Sequence, residues 1–249
     1  MDVTLYTMPI SHPGWSARLA LARKGVEPKV VDLPAGMHPA LLWARGFRKG
    51  TVPALRLDGR RVEGSLTIVQ ELERLLPEPS LYPGDPQRRA AVEEAERWGE
   101  SVLQELPRTI ARHAIAHERA VRVWFMGEHA GMPLPSVAAT FTVPVARLMA
   151  ARSNGNSETA VVAALRQLPG ALDRVDALLA DGLLGEPGAP NAAGAQIAPS
   201  VAQLASLADV ADLTDGRPST AWARALLPDF PGGMPRSERI AALRRDAGV

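Results

Sequence analysis

Apolar positions in the first 76 residues switch between two spacings. VTLY at 3–6 is a short β-type run, and SHPGWSARLALARKG at 11–25 then repeats apolar residues at helical intervals. Pro13 suits the first turn of that helix and Gly25 its stop. VEPKVVDL at 26–33 is a second β-type run, followed by HPALLWARGF at 38–47, a helical pattern that again has proline at its start. VPALRL and RRVEG flank Asp58-Gly59, a strong hairpin signal, and SLTIVQELERLL is an amphipathic helix that Ser65 can cap. The order β-α-β-α-β-β-α implies parallel pairing at its start.

PEPSLYPGDP at 77–86 holds four prolines and a glycine, which stop helix and sheet alike. The expected organisation is an α/β domain over 1–76, a linker over 77–85 and an all-helical domain over 86–249. Asp85 and Pro86 open a long helix through 87–117, with Pro107 a kink candidate. GEHAGMPLPS at 127–136 is too rich in glycine and proline for a helix interior and reads as a loop able to cover a pocket. A loop around SNGNS, at 153–157, leads into a second long helix ending at Gly182. GLLGEPGAP at 182–190 is a loop that delivers Asn191 as the cap of a further helix.

With 46% apolar and 22% charged residues, the 249-residue chain belongs to the soluble globular class. A formal net charge of +1 favours neither nucleic acid nor a membrane surface. No run approaches about 18 apolar residues, and MDVTLYTMP lacks the pattern of a signal peptide, so a cytoplasmic location is expected. Cysteine is absent, which removes disulfides, thiolate metal sites and any protein thiol as nucleophile. A thiol, if one is used, comes from a ligand. Only Lys24, Lys29 and Lys49 interrupt an otherwise arginine-only basic set, and with abundant alanine this points to a GC-rich, bacterial source.

The α/β domain, proline-rich linker and helical remainder together resemble the glutathione S-transferase superfamily: a thioredoxin-like domain followed by a helical domain. The residues match its theta-like, serine-using branch best. Ser11-His12-Pro13 follows the first strand, His38 precedes the second helix, Val52-Pro53 precedes the third strand, and Ser65 stands in GSLTI. The resemblance implies that Ser11 donates a hydrogen bond to a ligand thiolate at a helix N-terminus. It also implies that Val52, before a cis-Pro53, pairs with the ligand backbone, and that Ser65 and its helix N-terminus hold an α-carboxylate. His12, His38, Thr51 and Gly64 complete the implied thiol site, with His38 facing a carboxylate. Arg48 and Lys49 lie close to a position where the family commonly offers a basic residue.

Three positions depart from the pattern. Gly64 replaces a Glu or Gln that binds the ligand's amino group, and Glu63, next to it, points to the opposite strand face. Gly14 stands where some members carry cysteine, which excludes thiol-disulfide exchange by the protein. Gly194 replaces the acidic partner of the Asn191 cap. Glutathione, another low-molecular-weight thiol such as mycothiol, or no thiol at all stay open as ligands.

For the second pocket, Trp98, Arg108, Arg112, His113 and His117 are candidates to bind an electrophilic or acidic substrate. Arg108 with Arg112, and His113 with His117, are i,i+4 pairs that each share a helix face. Each group also reads as a solvated basic face with Trp98 in the core. A metal site at His113, His117 and Glu118 lacks further ligands, so no metal is expected. The leading expectation is an enzyme that adds a thiol to a small electrophile, or uses the thiol to isomerise or eliminate from it. A repurposed thiol-independent enzyme and a non-catalytic binding module are the alternatives. Family analogy adds a homodimer.

Overall fold

The computed structural model describes residues 1–130, 132–152, 155–186 and 188–249. Its first layer is a four-stranded sheet of β1 (Val3–Thr7), β2 (Lys29–Asp32), β3 (Ala54–Leu57) and β4 (Arg60–Glu63) in the order β2-β1-β3-β4. β1 pairs parallel with β2 and antiparallel with β3, so it lies inside the sheet and all five of its residues are buried. Asp58 and Gly59 join β3 to β4 at φ of 45° and 83°, the double left-handed backbone of a tight hairpin turn.

Helices α1 (His12–Arg23) and α3 (Ser65–Leu75) pack on the sheet through Ala17, Ala20, Leu21, Ile68, Val69 and Leu72. α2 (His38–Trp43) covers a satellite core of Tyr6, Leu33, Leu42, Phe47 and Ala54. It stops short of residue 47 because Gly46, at φ 82°, turns the chain and lets Phe47 fold back edge-on against Tyr6. Gly14 explains how closely α1 meets β1: a Cβ there would lie 2.0 Å from Thr7 Oγ1. The Val52–Pro53 and Glu78–Pro79 peptide bonds are cis.

The helical part begins with α4 (Pro86–Trp98), capped by Asp85, then a π-helical turn (Gly99–Leu103) and α5 (Glu105–His117). The expected single helix is therefore broken at Gly99–Leu103 and not at Pro107, which lies in the first turn of α5. Gly99 allows close packing there, since a Cβ would come within 2.9 Å of Ile197 Cγ1. Then follow α6 (Arg119–Trp124), a second π-helical turn (Phe125–His129), α7 (Pro135–Phe141), α8 (Val143–Ala151) and α9 (Glu158–Ala180). Helix thus occupies both ends of the expected loop at 127–136, whose position 131 lies outside the described residues, as do 153–154 of the SNGNS loop.

A short strand pair, β5 (Gly185–Glu186) and β6 (Ala189–Pro190), replaces the plain loop expected at 182–190, of which 187 is outside the described residues. α10 (Ala192–Ala205) is capped by Asn191, whose side chain accepts from Gly194 N at 3.0 Å. Glycine is required at 194 because a Cβ would sit 2.1 Å from the Leu184 carbonyl oxygen. α10 is buried along nearly its whole length, with α1 on one side and α12 (Pro218–Leu226) on another, after the short α11 (Ala211–Thr214). α13 (Glu238–Ala247) closes the chain against α9. One apolar core runs through both layers. Among the described residues no helix is long and apolar enough to cross a membrane.

Candidate functional site

The implied thiol site falls at the N-terminus of α1, the start of α2, the Val52-Pro53 turn and the N-terminus of α3, along the seam, or cleft, where His12 and Ser65 meet the helical layer. Ser11 caps α1: its Oγ accepts from Gly14 N at 3.2 Å while the residue is 7% exposed. The cap uses a lone pair of the hydroxyl, so its own proton stays available for a second partner. A helix N-terminus also favours negative charge nearby. The capping bond therefore does not use the hydroxyl proton.

His12 has a different setting from the one implied. Its Nδ1 lies 3.0 Å from Gln203 Oε1 and its Nε2 3.3 Å from the Gln104 carbonyl oxygen. Both ring nitrogens join α1 to the helical layer and leave none for a ligand. Burial, then the charge of Arg108, lowers its pKa to about 3, so the ring is neutral.

Ser65 also departs from expectation. The N-cap of α3 is Gly64, at φ 94°, and Ser65 is the first helical residue. Its hydroxyl donates to Glu100 Oε2 at 2.8 Å and accepts from Gln196 Nε2 at 3.1 Å. The same carboxylate oxygen accepts from Gln104 Nε2 at 3.0 Å and from Gln196. An acidic group of the helical layer thus sits at the start of α3, where sequence reading places a ligand carboxylate. Gln196 Oε1 is buried beside it without a partner among the described residues. Glu63 is occupied elsewhere, accepting from the Arg48 and Lys49 backbone amides at 2.9 and 2.8 Å. Thr51 is exposed and Val52 half-buried at the cleft edge.

His38 opens α2, 8% exposed, and its Nδ1 has no hydrogen-bond partner among the described residues. Burial, then Arg112 and Arg152, lowers its pKa to about 4. Arg108 holds Glu105 and Gln104, and Arg112 donates to the Met149 carbonyl at 3.3 Å, all within the helical layer, while their charges lower the pKa values of His12 and His38. His113 and His117 look the other way. His113 is fully buried, with Nδ1 2.7 Å from the Gly155 carbonyl and Nε2 accepting from Arg239 at 3.2 Å, and His117 stacks on it. Trp98 packs on the core under Arg174, 4.4 Å from the ring centre. These three residues are removed from the cleft. No group of three or more metal-ligating side chains occurs among the described residues.

Sequence reading missed Glu100 altogether. It lies 35 residues from Ser65, and only the packing of the π-helical turn against α10 brings the two together. An acidic residue at a glycine break in an otherwise regular helix was the one available signal.

Residues 5–80 match the glutathione S-transferase N-terminal domain model. Maleylacetoacetate isomerase of Rattus norvegicus is 36% identical over 92 residues, 35% of this chain and 43% of that protein. Glutathione S-transferase 1 of Dianthus caryophyllus is 38% identical over 88 residues, 34% of this chain and 40% of that protein. The matches thus span less than half the length of these curated relatives. Among solved structures, a serine-to-cysteine variant of poplar glutathione transferase F1 superposes with a TM-score of 0.62 at 14% identity, covering 99% of each chain. Rice GST1 in complex with glutathione superposes with a TM-score of 0.59 at 20% identity, again covering 99% of each chain. Residues 5–80 thus match the glutathione S-transferase N-terminal domain, and over its whole length the chain shares the fold of these glutathione transferases.

Proposed function

We propose that this chain is a glutathione-using enzyme that adds the thiol to a small electrophile, or uses it to isomerise or eliminate from one. The observation that carries the reading is Ser11, a buried hydroxyl at the N-terminus of α1 whose proton is free to stabilise a thiolate. The relatives' names, a glutathione S-transferase and a maleylacetoacetate isomerase, support the transferase and isomerase outcomes.

The residues present fit glutathione. Val52 offers backbone groups at the cleft edge, and the first-turn amides of α3 offer donors for a carboxylate. Glu100, with the orphaned Gln196 Oε1 beside it, offers acceptors to the amino group that Gly64 cannot hold. Glutathione, when bound, supplies the nucleophilic sulfur. Ser11 holds that sulfur as an anion, while Glu100 and α3 orient the other end of the tripeptide.

The reading includes the domain roles set out from sequence, a thiol-binding unit over 1–76 and a helical unit from 86 that shapes the second pocket. It also includes a cytoplasmic homodimer, as family analogy implies; light scattering in solution tests the dimer. The decisive variant is Ser11→Ala, for which the expected turnover loss is about a hundredfold, with about 1 kcal/mol of stability lost with the cap. A wild-type rate in that variant overturns the assignment.

A further inference from the structure

Helices α7 and α8 carry small side chains inward and large apolar ones outward. Each has one buried residue, Ala139 and Ala150, whereas Leu134, Val137, Phe141, Val145 and Leu148 are exposed, Phe141 by 79% and Leu134 by 66%. With Met132 they are six of the eleven large apolar side chains exposed among the described residues. Steps of three, four, four and three place the five on one helical face, which α8 continues from α7 after the single residue Thr142. The pair is firmly attached. Buried Arg122 donates to the Ala139 carbonyl at 2.7 Å and to the Ile115 carbonyl of α5 at 2.8 Å, and exposed Arg119 donates to the Ser136 carbonyl at 3.3 Å. An apolar stripe of this extent, held outward, marks a contact surface.

Charge distinguishes the occupants. From 129 to 157 the sequence has no aspartate or glutamate; its arginines are Arg147 and Arg152, both exposed on or just after α8, with Arg119 beside α7. Of the flanking acids, Glu118 is held by Ser237 and Glu158 by Arg239, which leaves Glu128 at the edge. The formal net charge of +1 hides this local imbalance. A two-fold contact between copies of this chain would bring the arginines of both copies together with no acid of the segment to balance them. Anionic headgroups above an apolar interior satisfy the stripe and the arginines at once.

We propose that α7 and α8 dock the protein on an anionic lipid bilayer. Leu134, Val137, Phe141, Val145 and Leu148 enter the headgroup boundary, while Arg119, Arg147 and Arg152 meet lipid phosphates and carboxylates. No helix among the described residues is long and apolar enough to cross a membrane, so the contact is peripheral.

The test is co-sedimentation of the full chain with vesicles of phosphatidylcholine alone and of phosphatidylcholine mixed with phosphatidylserine, at low and high salt. Wild type is expected to bind the mixed vesicles at least about tenfold more tightly than the neutral ones, with the difference shrinking as salt rises. Phe141→Ser and Leu148→Ser are each expected to weaken binding about tenfold, at an unchanged melting temperature because both side chains are exposed. Arg147→Gln combined with Arg152→Gln is expected to remove most of the preference for anionic vesicles. In Phe141→Trp, added mixed vesicles are expected to shift the fluorescence of the new tryptophan to the blue. A wild type that does not sediment, that binds both vesicles equally, or whose binding both serine variants retain overturns the proposal. So does self-association without vesicles that Phe141→Ser abolishes in a protein indifferent to lipid, which assigns the stripe to a second copy.

Discussion

Ser65 donates its hydroxyl to Glu100 across the boundary between the two layers, at 2.8 Å. The pair lies at the centre of a polar network that also holds Gln104 and Gln196, and the Gln104 backbone carbonyl meets His12. One carboxylate oxygen serves three donors there. Replacing Glu100 by Ala leaves those donors buried without their acceptor, and the expected loss is about 1 to 3 kcal/mol of unfolding free energy. Glutathione affinity is expected to fall with it, since the amino group loses its acceptor. Denaturant unfolding and calorimetry on the same variant check both.

His12 makes the junction acid-sensitive. Its pKa falls from 6.5 to about 3 on folding, through burial first and Arg108 second, so the unfolded chain binds the proton more readily. The contribution is complete above pH 6.5 and drains away as the pH falls toward about 3, by on the order of a few kcal/mol. Melting curves from pH 7 to 4 are expected to show this slope in wild type and a flatter one in His12→Asn.

Glu96 works in the opposite sense. It is 1% exposed, accepts from Tyr82 Oη at 2.8 Å, and has its other oxygen unpartnered among the described residues. Burial raises its pKa from 4.5 to about 7, so the folded state favours the protonated carboxyl. Its contribution is full below pH 4.5 and is lost as the pH rises through about 7. Glu96→Gln is expected to leave stability at pH 4.5 nearly unchanged and to raise it at pH 8 by on the order of 2 kcal/mol. Equal effects at both pH values contradict this.

Gly14 lies where α1 meets β1 most closely, with room for no side chain beside Thr7 Oγ1. Gly14→Ala is expected to cost about 1 to 3 kcal/mol through displacement of the helix, and Thr7→Ser, which keeps the offending oxygen, is not expected to rescue it. Thr7→Ala removes that oxygen and is expected to recover most of the loss. Thermal melts of the single and double variants decide.

Much of the α/β layer was legible because its signals are local. Asp58-Gly59 needs only two residues to declare a hairpin, and Ser11-His12-Pro13 shows both the cap and the start of α1. The i,i+4 pairing on α5 was equally local, separating Arg108 and Arg112 from His113 and His117. Which face meets the cleft was not, because it is set by Arg239 of α13 and Gly155 gripping His113 from far along the chain. The break at Gly99 was illegible for the same reason: its cause is Ile197, almost a hundred residues away. His12, read as a ligand contact by position, turned out to be bound at both nitrogens by helices that no local pattern placed beside it.

The central claim is that Ser11 holds a ligand sulfur in its ionised form. Thiolate absorbance of bound glutathione, followed through a pH titration, reads that directly. The account predicts an apparent thiol pKa at least about one unit below the free value of roughly 8.5 in the wild type, returning toward that value in Ser11→Ala while glutathione stays bound. A bound thiol that titrates as it does in solution, or one whose pKa is just as low without Ser11, contradicts it.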